Sequence, residues 1–250
     1  MSRTVVVSQP MFQPWIGLFE QVRLADVFFH YDDVQLPQGR SFMARVQVKT
    51  ANGVIWLTAP IDRKRSGKLI NEVVLANEED WRSRHLKTIQ HAYARAPHFQ
   101  SMFDLVQGIY EYPTESLAEF NIHATETIAR WLGFPAEFRR SSVSGIGGSS
   151  TQRLVDLCRS AGATIYVTGL GALKYLEHER FEEQGIDVRY MDYQLTPYPQ
   201  QHGEFTPYVS ILDAIANVGE QTRDLVVSPS IHWKEAIKKR HSEPGENTNE

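Results

Sequence analysis

The first part of the chain alternates short apolar runs with polar turns. Residues 5–7 and 27–29 are runs of β-branched and aromatic side chains, and the segment between them repeats its apolar positions with a helical period up to Leu24. This order predicts a strand, a helix and a second strand. Because such strands are parallel, the polar residues that follow them meet at the carboxyl edge of the sheet.

The same alternation continues along the chain. Residues 45–49 and 54–58 alternate apolar and polar positions around Asn52-Gly53, which predicts a β-hairpin. Helical periods are predicted at 80–95, 99–110, 113–132, 151–161 and 210–217, and further strands at 69–75, 138–142, 164–168 and 188–191.

These elements predict an α/β fold, with a mainly parallel Rossmann-like sheet flanked by helices and an inserted β-hairpin and helical subdomain. Residues 1–241 are expected to form a single domain, with the insertion at roughly 36–135. The polar, glycine- and proline-containing segment 242–250 is expected to be a disordered tail.

Composition narrows the function classes. A hydrophobic content of 42% in 250 residues is that of a packed globular protein, and a net charge of −4 argues against a nucleic-acid partner. No apolar run reaches the roughly 20 residues that span a bilayer, so no membrane partner is expected. A single cysteine, Cys158, suits a reducing, cytoplasmic compartment, and no histidine spacing predicts a metal site.

Polar and aromatic side chains follow the two strands of the first unit. They are Gln9, Gln13, Trp15, Asp32, Asp33 and Gln35. A turn with core aromatic residues would explain some of them, but amides, an indole and paired carboxylates exceed what a turn needs. We expect a binding site for a polar, uncharged or zwitterionic small molecule, with Asp33 as the carboxylate that faces it.

Three residues outside this unit are further candidates, and two of them, His85 and Arg45, have two interpretations each. His85 repeats with Trp81 along one helix stripe, so it is either a hydrogen-bonded core residue or a general base. Arg45 flanks the hairpin, where it serves solubility or binds an anionic ligand group. Tyr198 lies in a proline-rich segment that is suited to cover a pocket.

Dispersed motifs in this chain resemble those of the WbqC-like family. They are Gln9-Pro10, Gln13-Pro14-Trp15-x-Gly17, Asp33-Val34-Gln35, Trp56-Leu57-Thr58-x-Pro60, Trp81-x-x-x-His85, Arg153-Leu154, Tyr166-x-x-Gly169, Tyr175-Leu176 and Tyr198-x-Gln200. The resemblance implies that Tyr166 and Tyr175 also contact the substrate.

The resemblance implies a small-molecule biosynthetic enzyme. Members of the family are encoded among O-antigen and specialised-metabolite genes, often beside aminotransferases and carrier proteins. This chain has Ala44 where the family usually has an asparagine, and His30-Tyr31 where it has an aliphatic residue. His30 is a candidate substitute for the missing amide.

Three functions are consistent with these residues. The first is a transferase that forms an amide bond between an acyl or aminoacyl group and an amine such as an amino sugar. An acyl or peptidyl carrier protein is its expected donor partner, and no cofactor is needed. In this scheme His85 or Asp33 is the base, while Gln9 and Arg45 orient the ligand.

The second is a nucleotidyltransferase-like enzyme that binds a nucleotide at the glycine- and serine-rich loop 145–150. The third is a non-catalytic module that binds a carrier or a sugar.

Overall fold

The computed structural model describes residues 2–39, 41–62, 67–76 and 80–242. Within these ranges six strands form one sheet in the order β5-β2-β1-β6-β7-β8. The strands are β1 (Thr4–Ser8), β2 (Val27–His30), β5 (Glu137–Arg140), β6 (Ile165–Thr168), β7 (Asp187–Met191) and β8 (Ser230–His232). The first five in this list pair in parallel, and β8 pairs antiparallel to β7.

Two further strands, β3 (Arg45–Thr50) and β4 (Gly53–Thr58), form a separate antiparallel hairpin. Gly53 has a φ of +101°, a backbone conformation that glycine adopts without strain, and it lies in the predicted Asn-Gly turn. The predicted α/β class, with its mostly parallel sheet and hairpin, is confirmed.

The helices cover both faces of the sheet. They are α1 (Ile16–Leu24), α2 (Trp81–Tyr93), α3 (Phe99–Glu111), α4 (Leu117–Trp131), α5 (Ser150–Ser160), α6 (Glu179–Glu182), α7 (Ile211–Val218), α8 (Thr222–Leu225) and α9 (Trp233–Ser242). Val6 and Phe28 face one core, built with α1–α4, α7 and the hairpin. Val5 and Phe29 face the other core, built with α5, α6 and α9. Burial on both faces explains why these strands are continuously apolar.

The strand order creates one point where the chain changes direction. The chain extends the sheet outward from β1 to β2 and β5, then returns to place β6 on the other side of β1. The loop after β1 leads to α1 and the loop after β6 leads to α6, and these helices pack on opposite faces of the sheet, so the two loops diverge. A crevice opens between such loops, which is where ligands bind in open α/β sheets.

One prediction of local structure is wrong, and the last two elements were not predicted. Residues 69–75, expected to form a strand, contain a 3-10 helix at Ile70–Glu72, and Leu69, Val74 and Leu75 make isolated β-bridges rather than a continuous ladder. The Glu72 side chain accepts a hydrogen bond from the Leu69 amide at 2.9 Å, which favours the turn over a strand. Strand β8 and helix α9 were not predicted from the sequence. A three-residue edge strand carries too little periodicity to be recognised.

Of the predicted tail 242–250, Ser242 ends α9 and residues 243–250 lie outside the described residues. In the described part of the chain no helix has both the length and the apolar character needed to cross a bilayer.

Candidate functional site

A cavity of about 700 Å³ opens at the carboxyl edge of the sheet, where the loops after β1 and β6 diverge. Its walls come from the ends of β1, β2 and β6, from α1 and from the start of α5. The polar side chains among its described lining residues are Ser8, Gln9, Gln21, Tyr31, Asp33, Gln35, Ser149, Ser150, Arg153, Tyr166, Thr168 and Tyr175. This volume lies within the range of small-molecule sites.

An ion pair lies in the wall of the cavity. The Arg153 guanidinium on α5 contacts the Asp33 carboxylate after β2, and the side chains are 7% and 19% exposed. Arg153 also donates to the carbonyl of Ile146 at 3.1 Å, and its guanidinium lies 5.1 Å from the centre of the Tyr31 ring. Ser141 donates a hydrogen bond to the other Asp33 oxygen. Asp33 is therefore held in one orientation with its charge neutralised.

The neighbouring Asp32 has a different environment. Its carboxylate accepts hydrogen bonds from the Ser142 hydroxyl at 2.7 Å and the Ser142 amide at 3.1 Å. Asp32 is buried and does not line the cavity. It anchors the loop after β5, which leaves Asp33 as the carboxylate that faces the cavity.

The first turn of α5 opens into the cavity through Ser149 and Ser150. Ser149 is the N-cap residue, and its side chain makes no capping hydrogen bond. The first amide groups of a helix have no acceptor within the helix, so they carry partial positive charge and can bind an oxygen atom.

Five of the residues predicted from sequence line this cavity: Gln9, Asp33, Gln35, Tyr166 and Tyr175. Gln9 is half-buried and Gln35 is exposed. The Tyr166 ring is buried and stacks on Phe181 at 4.9 Å between ring centres, and burial raises its pKa far above the ordinary value of 10. Tyr175, in contrast, is an exposed residue of the cavity lining, with 67% of its surface accessible to solvent.

Three residues expected at the same edge lie elsewhere. The Trp15 ring contacts Tyr193 and Tyr208, and it lies so close to Gly17 that a Cβ atom there would overlap it. Gln13 is buried, with a φ of +42°. His30 is buried against Phe138 and lies 3.4 Å from Glu126, because the last residue of β2 faces α4. None of these three residues is among those that line the cavity.

Arg45 and Tyr198 belong to the hairpin side of the molecule. The Arg45 guanidinium lies 3.7 Å from the centre of the Trp56 ring. Tyr198 donates a hydrogen bond to the buried Asp213 at 2.9 Å, and Gln200 donates to Tyr198 at 3.0 Å. These contacts attach the Tyr198 segment to α7, so Tyr198 does not lie over the cavity described above.

His85 lies in the core that contains Phe12 and Trp81. Its Nδ1 atom is 3.1 Å from the Tyr110 hydroxyl, and its ring packs edge-on against Trp81 at 5.2 Å between centres. Burial, and to a lesser extent Arg84, lowers the pKa of His85 to about 4, so the imidazole is neutral near pH 7. It does not line the cavity that contains Asp33.

Replacement of this histidine tests its structural role. We expect His85→Gln to lower the free energy of unfolding by about 1–2 kcal/mol, because the buried Tyr110 hydroxyl loses a well-placed partner. Urea unfolding measures this loss. His91→Gln, on the exposed face of the same helix, is the matched control and should leave stability unchanged. An unaltered stability for His85→Gln would show that the hydrogen bond contributes little.

Comparison with known proteins assigns the chain to a family. A profile of the WbqC-like protein family matches residues 9–225. The chain belongs to the WbqC-like family. The chain is also 33% identical over 225 residues to a protein from Mycobacterium tuberculosis (strain ATCC 25618 / H37Rv) described as "Uncharacterized protein Rv1507c". The aligned region covers 89% of this chain and 96% of that protein. No solved structure matches.

Some residues that line the cavity were not predicted from the sequence as site residues, although they lie in the part of the chain that matches the family. Arg153 and Gln21 are the main ones. Arg153 had a recognisable signal, because it precedes the buried Leu157 by one helical turn and so places a charge on the apolar face of α5. A buried arginine implies a buried acid, but its identity as Asp33 depends on contacts between distant segments.

No group of three or more histidine, cysteine, aspartate or glutamate side chains placed to hold a metal ion is found in the described ranges. Cys158 is buried in the α5 core, and burial raises the pKa of its thiol well above the usual value of 9.

Proposed function

We propose that this WbqC-like protein is a small-molecule transferase that joins an acyl or aminoacyl group to the amine of a small acceptor such as an amino sugar. The observation that carries the proposal is the cavity at the sheet edge, which gathers Gln9, Gln35 and the Asp33–Arg153 pair. Amide formation from an activated acyl donor needs a bound and oriented acceptor, a proton acceptor and stabilisation of an oxyanion, and an amide, a fixed carboxylate and the start of a helix can supply these.

In this proposal Asp33 binds the acceptor amine. Each carboxylate oxygen has more than one lone pair, so Asp33 can accept a further hydrogen bond while Arg153 and Ser141 hold it. The amine nitrogen attacks the carbonyl carbon of a thioester, the amide C–N bond forms and the C–S bond breaks. Asp33 removes the proton from the nitrogen and returns it to the departing thiolate.

The start of α5 suits the negative charge that develops during this reaction. As the amine attacks, the carbonyl oxygen of the donor becomes an oxyanion. The amide groups of the first turn of α5 are placed beside the cavity and have no helical acceptor. Hydrogen bonds from such groups stabilise an oxyanion more than the neutral carbonyl, which lowers the barrier.

The test uses the full chain with acyl- and aminoacyl-pantetheine thioesters as donors, and with amino sugars and simple alkylamines as acceptors. We expect mass spectrometry to detect an amide product. Asp33→Asn should slow its formation about a hundredfold, because the amide cannot accept the proton. Asp104→Asn, an exposed aspartate on α3, is the control and should not change the rate. Equal rates for Asp33→Asn and the parent protein would remove Asp33 from the mechanism.

Two alternatives give different results with the same protein. Saturable calorimetric binding of ATP or CTP, weakened by Arg153→Gln, would favour a nucleotide-binding enzyme over the transferase. Binding of a thioester or an amine without any amide product from the full panel of donors and acceptors would favour a non-catalytic module.

A further inference from the structure

Three glutamine side chains from separate elements line the cavity within the described residues. Gln9 follows β1, Gln21 lies on α1 and Gln35 follows β2. Gln9 and Gln21 are half-buried, and none of the three side-chain amides makes a hydrogen bond to another described residue. Each amide offers two donor hydrogens and an acceptor oxygen, so the three residues bring neutral hydrogen-bonding groups to the cavity lining.

The charged groups of the cavity are already paired with each other. Among its described lining residues, Asp33 and Arg153 are the charged ones, and they form the ion pair described above. Arg153 is further satisfied by the carbonyl of Ile146. An anionic ligand would therefore have to compete with Asp33 for the Arg153 guanidinium, and it would lie close to the Asp33 carboxylate, which has the same sign of charge. The lining favours a ligand that binds through uncharged polar groups.

The mouth of the cavity supplies an aromatic face. Tyr175 follows the 3-10 helix Leu170–Lys174 and lines the cavity, and the residue is 67% exposed. An exposed ring beside unpaired amides combines an apolar surface with hydrogen-bonding groups. A sugar ring presents the same combination, since its C–H groups form an apolar face and its hydroxyl groups project from the edge.

We infer that the cavity recognises an uncharged polyhydroxylated ring, the chemistry of a sugar, through hydrogen bonds from Gln9, Gln21 and Gln35 and stacking on Tyr175. This inference rests on the proposed function, because it defines the part of the acceptor that is bound rather than the amine that reacts. It gives Gln21 and Tyr175 roles in specificity that are separate from the reaction at Asp33.

Ligand-detected saturation-transfer NMR on the full chain tests this inference, with glucose, glucosamine and N-acetylglucosamine as probes. ATP, CTP and inorganic phosphate are the charged comparators. We expect saturable binding of at least one sugar and weaker or no binding of the comparators. Gln9→Leu, Gln21→Leu and Gln35→Leu should each weaken sugar binding about threefold to tenfold, as the loss of one or two hydrogen bonds predicts.

Tyr175→Ala should also weaken binding, with the largest loss of saturation at the C–H protons of the ring. Gln107→Leu is the matched control, because this glutamine is exposed on α3 and bonds to Glu111. Urea unfolding of each variant separates lost binding from lost folding. No saturable sugar binding, or sugar binding that is equal in the three glutamine variants and the control, would overturn the inference. Tighter binding of ATP or CTP than of any sugar would also overturn it.

The two proposals fail in different ways. Amide formation with alkylamines but no sugar binding would overturn this inference and leave the transferase. Sugar binding that depends on the glutamines, without amide product from any donor, would support this inference and remove the proposed reaction.

Discussion

Arg153→Met is expected to lower the free energy of unfolding by about 3–4 kcal/mol, because it leaves the Asp33 carboxylate partly buried without its cation. The guanidinium also donates to the carbonyl of Ile146 in the loop before α5, so the variant removes the link between this loop and the end of β2. Urea unfolding at pH 7 measures the difference.

The matched control is Arg180→Met. Arg180 forms an ion pair with Glu177, but its side chain is 46% exposed and that of Glu177 is 56% exposed. Solvent screens such a pair, so its loss should change stability by roughly 0–1 kcal/mol. The double variant Asp33→Asn/Arg153→Met should recover part of the stability lost in Arg153→Met, because no unpaired charge remains. Equal losses for Arg153→Met and Arg180→Met would contradict the buried pair.

Glu20 is expected to make the stability of the protein fall between about pH 4.5 and pH 7. This residue of α1 is fully buried, and its carboxylate oxygens make no hydrogen bond of ordinary geometry to the described residues, with Ser228 as the polar residue beside them. Burial raises the pKa of Glu20 from 4.5 to about 7, against the smaller opposing effects of Ser228 and Arg23. The protein therefore keeps this proton at pH values where the unfolded chain has lost it.

The direction follows from this difference between the two states. Protonated Glu20 favours the folded state fully below pH 4.5, and that contribution is lost as the pH rises through 7. A pKa difference of this size corresponds to about 3 kcal/mol. The Ser228 carbonyl accepts a hydrogen bond from Arg23, and the Ser228 hydroxyl accepts one from the Gln194 amide. We therefore expect the loss of stability to affect the contacts around Ser228.

Urea unfolding at several pH values from 4.5 to 8 measures the effect. Glu20→Gln cannot ionise, so it should remove this fall and be more stable at pH 8, relative to pH 4.5, than the parent protein. Glu220→Gln changes an exposed glutamate and should keep the parent pH dependence. A parent protein whose stability does not fall over this range, or a Glu20→Gln variant that falls equally, would exclude the assignment to Glu20.

Local patterns were sufficient for most of the secondary structure. The apolar runs at β1 and β2 are buried on both faces, and the Asn-Gly turn joins β3 to β4 as predicted. Asp80 caps α2 by accepting a hydrogen bond from the Ser83 amide at 3.2 Å. These features depend on residues within a few positions of one another, so the sequence alone carries the information.

The edge of the sheet that carries the cavity also followed from the sequence. Gln9 and Asp33 follow adjacent parallel strands, and parallel strands end at the same edge. This rule applies to the ends of the strands and not to every residue of the loops beyond them. Trp15 and Gln13 lie further along the first loop, where packing against other segments determines their direction.

Only the tertiary structure decided which partners these side chains find. Asp33 and Arg153 are 120 residues apart in the chain, and no local pattern connects them. His85 repeats with Trp81 on a predictable helix stripe, but whether that stripe faces a cavity or a core depends on Phe12 and Tyr110, which come from other elements. The sequence determined the elements and the edge because backbone geometry is local. The composition of the site depended on long-range packing.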